Sequence, residues 1–319
     1  MNLYKELQLC PICSWGFKNG QYRTVSYPTE AEKSENKPKW IAFCENCGVG
    51  IAVPAWSIDE LENFYSSGDY WGNSRAEVLS AKKYPVPYAL ARSRWKLVEP
   101  LIRRVGDKTS VLDIGAGHGF LGMIAAKSKD LRLATYVCVE KDRTLGESLK
   151  KTWSVYFPNS NLQVKEHIDH VDGQFDCVIL SHILEHLIDP QKMLHTVLKK
   201  LTKGGILFVD VPNQDYLFKK DVFPHFLFFN ISSLRHLLQE CGLTISLIDC
   251  YGNDMNRSPM NFRHSSRMRS AFVEIIMRTR WIIPERVILA IFSKYFKMNK
   301  ANSNGTWIRA IGTYYSASA

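Results

Sequence analysis

From Ser110 onward, apolar residues fall in short continuous runs separated by stretches with helical spacing. Runs such as Cys177-Val-Ile-Leu180 and Ile206-Leu-Phe-Val209 show no polar alternation, as strands covered on both faces require. The pattern predicts strands at 110–115, 134–140, 162–167, 175–181, 205–212 and 243–251. Helices are expected at 119–129, from 142, at 189–202 and at 232–241, with a closing strand over 306–314 beside the 243–251 strand. Strands alternating with helices define an α/β protein with a doubly wound parallel sheet. Residues 253–304 then form a helical insertion before the last strand. Residues 58–100 open on a Ser57-Ile-Asp-Glu60 capping pattern and read as helices broken by Gly68, Pro85 and Pro87. This connector or lid is rich in aromatics, of which Tyr65, Tyr70 and Tyr88 are candidates to close over a ligand.

Ahead of the connector stand two cysteine pairs, Cys10-Pro-Ile-Cys13 and Cys44-Glu-Asn-Cys47. A two-residue gap puts both sulfurs on one side of a tight turn, and two such turns complete a tetrahedral thiolate shell suited to a structural zinc ion. A redox dithiol is the alternative reading. Tyr22-Arg-Thr-Val25 and Trp40-Ile-Ala-Phe43 are strand-like, so residues 1–57 read as a zinc-binding ribbon. Cys138, Cys177, Cys241 and Cys250 lie in apolar runs and read as core residues.

With 319 residues, 45% hydrophobic and 23% charged, the chain has the composition of a globular protein, neither disordered nor disulfide-rich. The apolar stretch from Phe272 to Phe296 is interrupted by charges and Met1 to Cys10 has no leader-like apolar core. A cytoplasmic protein is therefore expected. The net charge of +10 points to an anionic partner: nucleic acid, phospholipid or a nucleotide-linked substrate. Between Arg257 and Lys300 ten basic residues face only Glu274 and Glu285, so most of the excess is local. Residues 263–300 interleave these cations with apolar positions. Peripheral contact with an anionic membrane, at its inner face, and an insertion packed on the sheet are both open, and Pro284 divides the segment into two short helices.

The segment Val111-Leu-Asp-Ile-Gly-Ala-Gly-His-Gly119 ends a strand and opens a helix, and its glycines let backbone amides approach a ligand. Its spacing, Asp113-x-Gly115-x-Gly117-x-Gly119, places an acid where a pyrophosphate would be repelled and an amine favoured. Glu140, after the second strand, can accept both hydroxyl protons of a ribose. A nucleoside with a charged amino-acid tail fits both.

These residues, with Phe175-Asp-Cys-Val178, Ser181-His-Ile-Leu-Glu-His186 and Lys203-Gly-Gly205, resemble the class I S-adenosylmethionine (SAM) dependent methyltransferases over about residues 95–252. The resemblance implies a Rossmann-like SAM-binding domain of residues 101–252 and 305–319. Ser181 to Asp189, Val211-Pro-Asn213 and the run from His225 to Leu234 are similar to the branch holding ubiquinone-pathway O-methyltransferases and sugar methyltransferases. The paired cysteines resemble those of bacterial sugar C-methyltransferases and surface-glycan methyltransferases. Carried over, Asp113, Gly115, Ala116, Gly117 and Gly119 meet the methionine part, Glu140 and Lys141 the ribose, Ile168 and Asp169 the adenine, and Ser181 completes the cofactor site. His167, where an acid is frequent, and His118, where a small polar residue is common, depart from the pattern, as does the basic insertion.

SAM carries an activated methyl, so the protein must orient an acceptor and remove its proton. His182 and His225 follow strand ends at the ligand crevice and are the candidate catalytic bases. Glu185 and His186 either brace the loop or, with His182 on one helical face, form a second metal site. The expected function is methyl transfer to a sugar or other small hydroxylated metabolite, a nucleotide-linked or surface-glycan precursor. An RNA methyltransferase and a SAM-binding interaction module are the alternatives.

Overall fold

The computed structural model describes residues 8–17, 22–29, 38–54, 60, 75–102, 108–128, 131–158, 162–254, 274–295, 300–301 and 304–315. In chain order, strands β1 (Thr24–Ser26), β2 (Trp40–Phe43) and β3 (Gly50–Val53) precede helix α1 (Pro85–Ile102). There follow β4 (Thr109–Ile114), α2 (Phe120–Lys127), β5 (Leu133–Val139), α3 (Arg143–Tyr156), β6 (Leu162–Lys165), β7 (Phe175–Ser181) and α4 (Pro190–Leu198). The chain ends through β8 (Leu201–Pro212), β9 (Leu227–Phe228), α5 (Ile231–Glu240), β10 (Leu243–Asp254), α6 (Glu285–Tyr295) and β11 (Gly305–Tyr314).

Seven strands form one sheet in the order β10-β11-β8-β7-β4-β5-β6. Neighbours from β8 to β6 are parallel, whereas β11 inserts antiparallel to both β8 and β10. The strands feed two cores because successive side chains alternate faces. Val111, Cys177, Ile179 and Phe208 meet Trp95 and Val98 of α1, Phe120 of α2 and Trp153 of α3. Leu112, Val178, Leu180 and Leu207 turn to the other face, with Leu194 of α4, Leu234 and Leu237 of α5, and Ile12, Ile41 and Ile51 of the ribbon. Helix starts are chemically marked. Asp142 accepts from Leu145 N, Asp189 accepts from Lys192 N just before Pro190, and Asn230 forms a reciprocal capping box with Ser233.

Strand β4 has β5 on one side and β7 on the other, so the chain reverses its direction of travel at β4. In such a sheet the ligand crevice lies beyond the carboxyl ends of the strands at that point. The expected alternation and the closing strand beside 243–251 are all present.

The ribbon pairs β1-β2-β3 antiparallel, and β9, from the chain beyond β8, adds a fourth strand through Gly50↔Phe228 and Ile51↔Leu227. A two-residue strand carries no periodicity, and neither it nor β3 was legible in the pattern.

Three expectations change. Pro85 and Pro87 do not break a helix: they occupy the first turn of α1, where a missing N–H costs no hydrogen bond. Tyr88 is no lid residue, being buried edge-on against Phe120; Tyr65, Tyr70, Ser57 and Gly68 lie outside the described residues. The helix expected at 189–202 stops at Leu198, and Leu201 already opens β8, because Gly204 at φ 77° lets the strand bulge ahead of its expected start at 205. Among the described residues no helix is long and apolar enough to cross a membrane.

Candidate functional site

The glycine loop leaves β4 and enters α2 through residues in left-handed conformations, Gly115 at φ 67° and Gly119 at φ 64°. A side chain at Gly115 would also collide with Ile183, whose Cδ1 would stand 2.1 Å from the new Cβ. The loop therefore needs glycine for its shape and for its contact with the turn after β7. Asp113 is buried, and its Oδ2 accepts from Tyr136 Oη at 2.7 Å. Its Oδ1 has no hydrogen-bond partner among the described residues and can accept from an amine. Burial pushes the Asp113 carboxyl up to about 6, against the pull of Tyr136 and Arg94.

Glu140, directly after β5, accepts from Gly117 N at 2.9 Å and from Asp142 N at 3.0 Å. Burial raises its carboxyl to about 7 even though both amides favour the charged form. Asp113 and Glu140 thus stand at the ends of adjacent strands, tied to one loop. Lys141 is exposed, Ile168 is half-buried and Asp169 exposed in a short helical turn at Ile168–His170, and Ser181 ends β7 half-buried.

His182 sits at φ 58°, uncommon for a residue with a Cβ, and its N–H donates to Asp210 O of β8. Its Nδ1 lies 3.0 Å from Glu185 Oε1. Glu185 is buried, and its Oε2 has no partner among the described residues. Burial pushes its carboxyl up, but the contact with His182 above all outweighs that and holds it below the ordinary value. His186 is driven down to about 3 by burial, so its ring is neutral. The His225 ring stands edge-on to it at 4.8 Å, and His225 Nδ1 is 3.0 Å from Asp215 Oδ2. Burial alone would raise Asp215, but His225 and Lys219, whose Nζ is 2.7 Å away, keep it ionised.

The expected face of His182, Glu185 and His186 is not what gathers. The chain turns tightly at Leu184–His186 instead of starting a regular helix at 182. The donors that converge within 4.8 Å are Glu185, His186 and His225, a set able to approach one divalent ion.

Several partners were not legible in the sequence. Asp210, on β8, is buried between Arg94 of α1 and Arg309 of β11, whose Nε is 3.5 Å from Asp210 Oδ1. Arg94 lies close enough to Asp113 to lower its carboxyl as well. Arg94 and Asp210 are 116 residues apart in the chain, and no local motif joins them. Asp215 was also missed; its only signal was an acid ten residues before a histidine already singled out.

The ribbon reaches the same place. Tyr27 Oη donates to His225 O at 3.0 Å, Phe226 N donates to Glu185 O, and Ala52 N donates to Phe226 O. Both cysteine turns are anchored to the main sheet's helices, through Gln191 Nε2 to Ile12 O and Asn230 Nδ2 to Gly48 O. Cys10 and Cys47 Sγ lie 3.7 Å apart and Cys13 and Cys44 Sγ 3.5 Å apart, with all four sulfurs within 4.8 Å of one another. Four Zn–S bonds of about 2.3 Å in a tetrahedron separate sulfurs by about 3.8 Å, so the donor set fits zinc. The contact between Cys10 and Cys47 lowers the Cys10 thiol and raises that of Cys47, and burial raises Cys44; a metal would require the thiolate from each. The other four cysteines are buried, as expected of core residues.

The parallel sheet with one antiparallel strand next to its edge, and the acid-flanked glycine loop at its reversal point, define a class I SAM-dependent methyltransferase. A family described as a methyltransferase domain matches residues 86–247, just over half of the chain, and the chain belongs to it. It is 26% identical over 181 residues to a ubiquinone biosynthesis O-methyltransferase of Caulobacter vibrioides, covering 51% of this chain and 67% of that protein. A second protein of that name, from Hydrogenovibrio crunogenus, is 22% identical over 66% of this chain and 88% of its own length. Among solved structures, magnesium protoporphyrin IX methyltransferase of Synechocystis with bound SAH superposes with a TM-score of 0.46 at 14% identity, covering 80% of this chain and 98% of that one.

Proposed function

We propose that this methyltransferase acts on a sugar or other small hydroxylated metabolite, a nucleotide-linked or surface-glycan precursor, with His225 as the base. The observation that carries the reading is the His225 and Asp215 pair, 3.0 Å apart, linked through His186, Glu185 and Ile183 to the glycine loop. Bound SAM supplies a sulfonium-activated methyl group. The chain's residues do the rest. Asp113 faces the amino end of the methionine part with its unpartnered oxygen, and Gly115, Ala116, Gly117 and Gly119 wrap that part. Glu140 accepts the ribose hydroxyls with Lys141 beside it, Ile168 and Asp169 border the adenine, and Ser181 closes the site toward β7.

Asp215, 3.0 Å from His225 Nδ1, stabilises by its charge the imidazolium that forms when Nε2 takes the proton of the attacking group. His182, set by Glu185, is the second base candidate and positions the acceptor. Zinc on Cys10, Cys13, Cys44 and Cys47 is the proposed metal. Its four thiolate positions are filled by protein, so it contributes structure and no open coordination site for chemistry.

The test is incubation of the purified protein and SAM with separate pools of nucleotide-linked sugars and of RNA, reading S-adenosylhomocysteine. Release with the sugar pool alone supports the proposal. Release with RNA alone overturns it in favour of an RNA methyltransferase, and SAM binding without turnover of any acceptor favours a SAM-binding interaction module.

A further inference from the structure

The described part of the insertion between β10 and β11 contributes no residue to the site described above. Its described portion is a helical turn at 274–279, a tip at 280–284 and α6, with Pro284 just before α6. One face is spent on the fold: Ile276, Ile288 and Phe292 are buried against Ala89 of α1, with Val86, Met277, Ile283 and Ile291 packed around them. Lys82 Nζ fastens the tip by donating to Trp281 O at 2.9 Å.

The opposite face is apolar too, and nothing in the described chain covers it. Ile282 is 87% exposed, Trp281 and Ile275 are each 61% exposed, and Val287 is 41% exposed. Four large apolar side chains held in water around one tip, while a separate set docks the helices, have no folding role. Cations surround them. The half-buried Arg280 guanidinium lies 4.9 Å from the Trp281 ring centre and donates to Met277 O, while Arg278, paired with Glu274 at 2.6 Å, and Arg286 are exposed on either side. The sequence adds the excess of ten basic over two acidic residues between Arg257 and Lys300.

We propose that this tip seats the protein on an anionic phospholipid bilayer. Trp281 and Ile282 enter the boundary between headgroups and acyl chains, with Ile275 and Val287 at its margin, and the exposed Arg278 and Arg286 meet lipid phosphates. A convex tip flanked by arginines suits a planar, deformable anionic surface. A stable protein interface needs about 800 Å² from each partner, more than a single turn and its flanking residues readily offer. Because the same insertion packs on α1, which carries Arg94, docking orients the ligand crevice relative to the membrane.

The experiment is co-sedimentation of the full-length protein with vesicles of phosphatidylcholine alone or with phosphatidylglycerol added. The wild type is compared with a W281S/I282S double variant and an R278Q/R286Q double variant. All four positions are exposed, and an unchanged SAM affinity in each variant establishes that it folds. The expected result is binding to phosphatidylglycerol vesicles that weakens with salt, at least about tenfold weaker partitioning of W281S/I282S, and a loss in R278Q/R286Q confined to anionic vesicles. Equal binding by wild type and W281S/I282S, or no binding to anionic vesicles, overturns the proposal. So does a dimer in light scattering that disappears in W281S/I282S without vesicle binding, since the patch would then belong to a second copy.

Discussion

Two buried carboxylates, Asp113 and Glu140, stand at the proposed cofactor end of the site, and their environments differ in a testable way. Glu140 has a carboxyl raised to about 7 by burial, yet its proposed work, accepting ribose hydroxyls beside two backbone amides, needs the charged form. Binding SAM must therefore favour loss of a proton. At pH 6 the carboxyl is mostly protonated in the free protein and binding expels that proton; at pH 8 it is already ionised. SAM affinity should rise between pH 6 and pH 8, with proton release detectable by calorimetry in buffers of different ionisation enthalpy. Glu140→Gln should abolish most of that pH dependence and weaken SAM by about tenfold, the worth of a charge-assisted hydrogen bond. A pH-independent affinity in the wild type would count against this role. The same scale shows where sequence reading stopped. Asp113 and Glu140 were legible because each sits at a fixed offset from a strand end, whereas Arg94, Asp210 and Arg309 meet only because β8, β11 and α1 come together.

Among the elements, strands with four or more apolar residues in a run were legible, since double burial removes polar positions. β9 was not, because two residues have no period. Its consequence for function is large. By adding Leu227–Phe228 to the ribbon's edge, it carries His225 and Phe226 into contact with Tyr27, Ala52 and Glu185. The ribbon is thus a brace for the candidate base, and the proposed zinc on its four cysteines would hold the ribbon. Stripping metal from Cys10, Cys13, Cys44 and Cys47, or making Cys44→Ser, should lower Tm by roughly 10 °C, as expected when several kcal/mol of metal-linked folding energy are lost. Methyl transfer should fall more steeply than SAM binding, because the glycine loop and Glu140 lie on strands the ribbon does not pair with. Metal analysis, a melting curve and a SAM titration on the same sample check all three. An unchanged Tm in metal-free protein would remove the brace.

For the whole molecule, charge and fold divide the work. The parallel sheet gathers the proposed cofactor and base residues at one end, and the basic insertion presents its apolar tip from α1. Composition announced the net charge of +10 but not that the insertion has two apolar faces, one consumed by packing and one free. That distinction requires knowing which helix receives it, which periodicity alone does not tell.

In the proposed reaction His225, beside Asp215, takes the acceptor proton next to SAM bound at Asp113 to Glu140. The most direct measurement pairs SAM titration with turnover, read as S-adenosylhomocysteine, for the wild type, His225→Asn and Asp215→Asn on an accepted substrate. SAM affinity should stay within about twofold in all three. The kcat should fall by about 10²–10⁴ for His225→Asn, the range for losing a general base, and by less for Asp215→Asn. Wild-type turnover by His225→Asn with SAM bound normally would contradict this role.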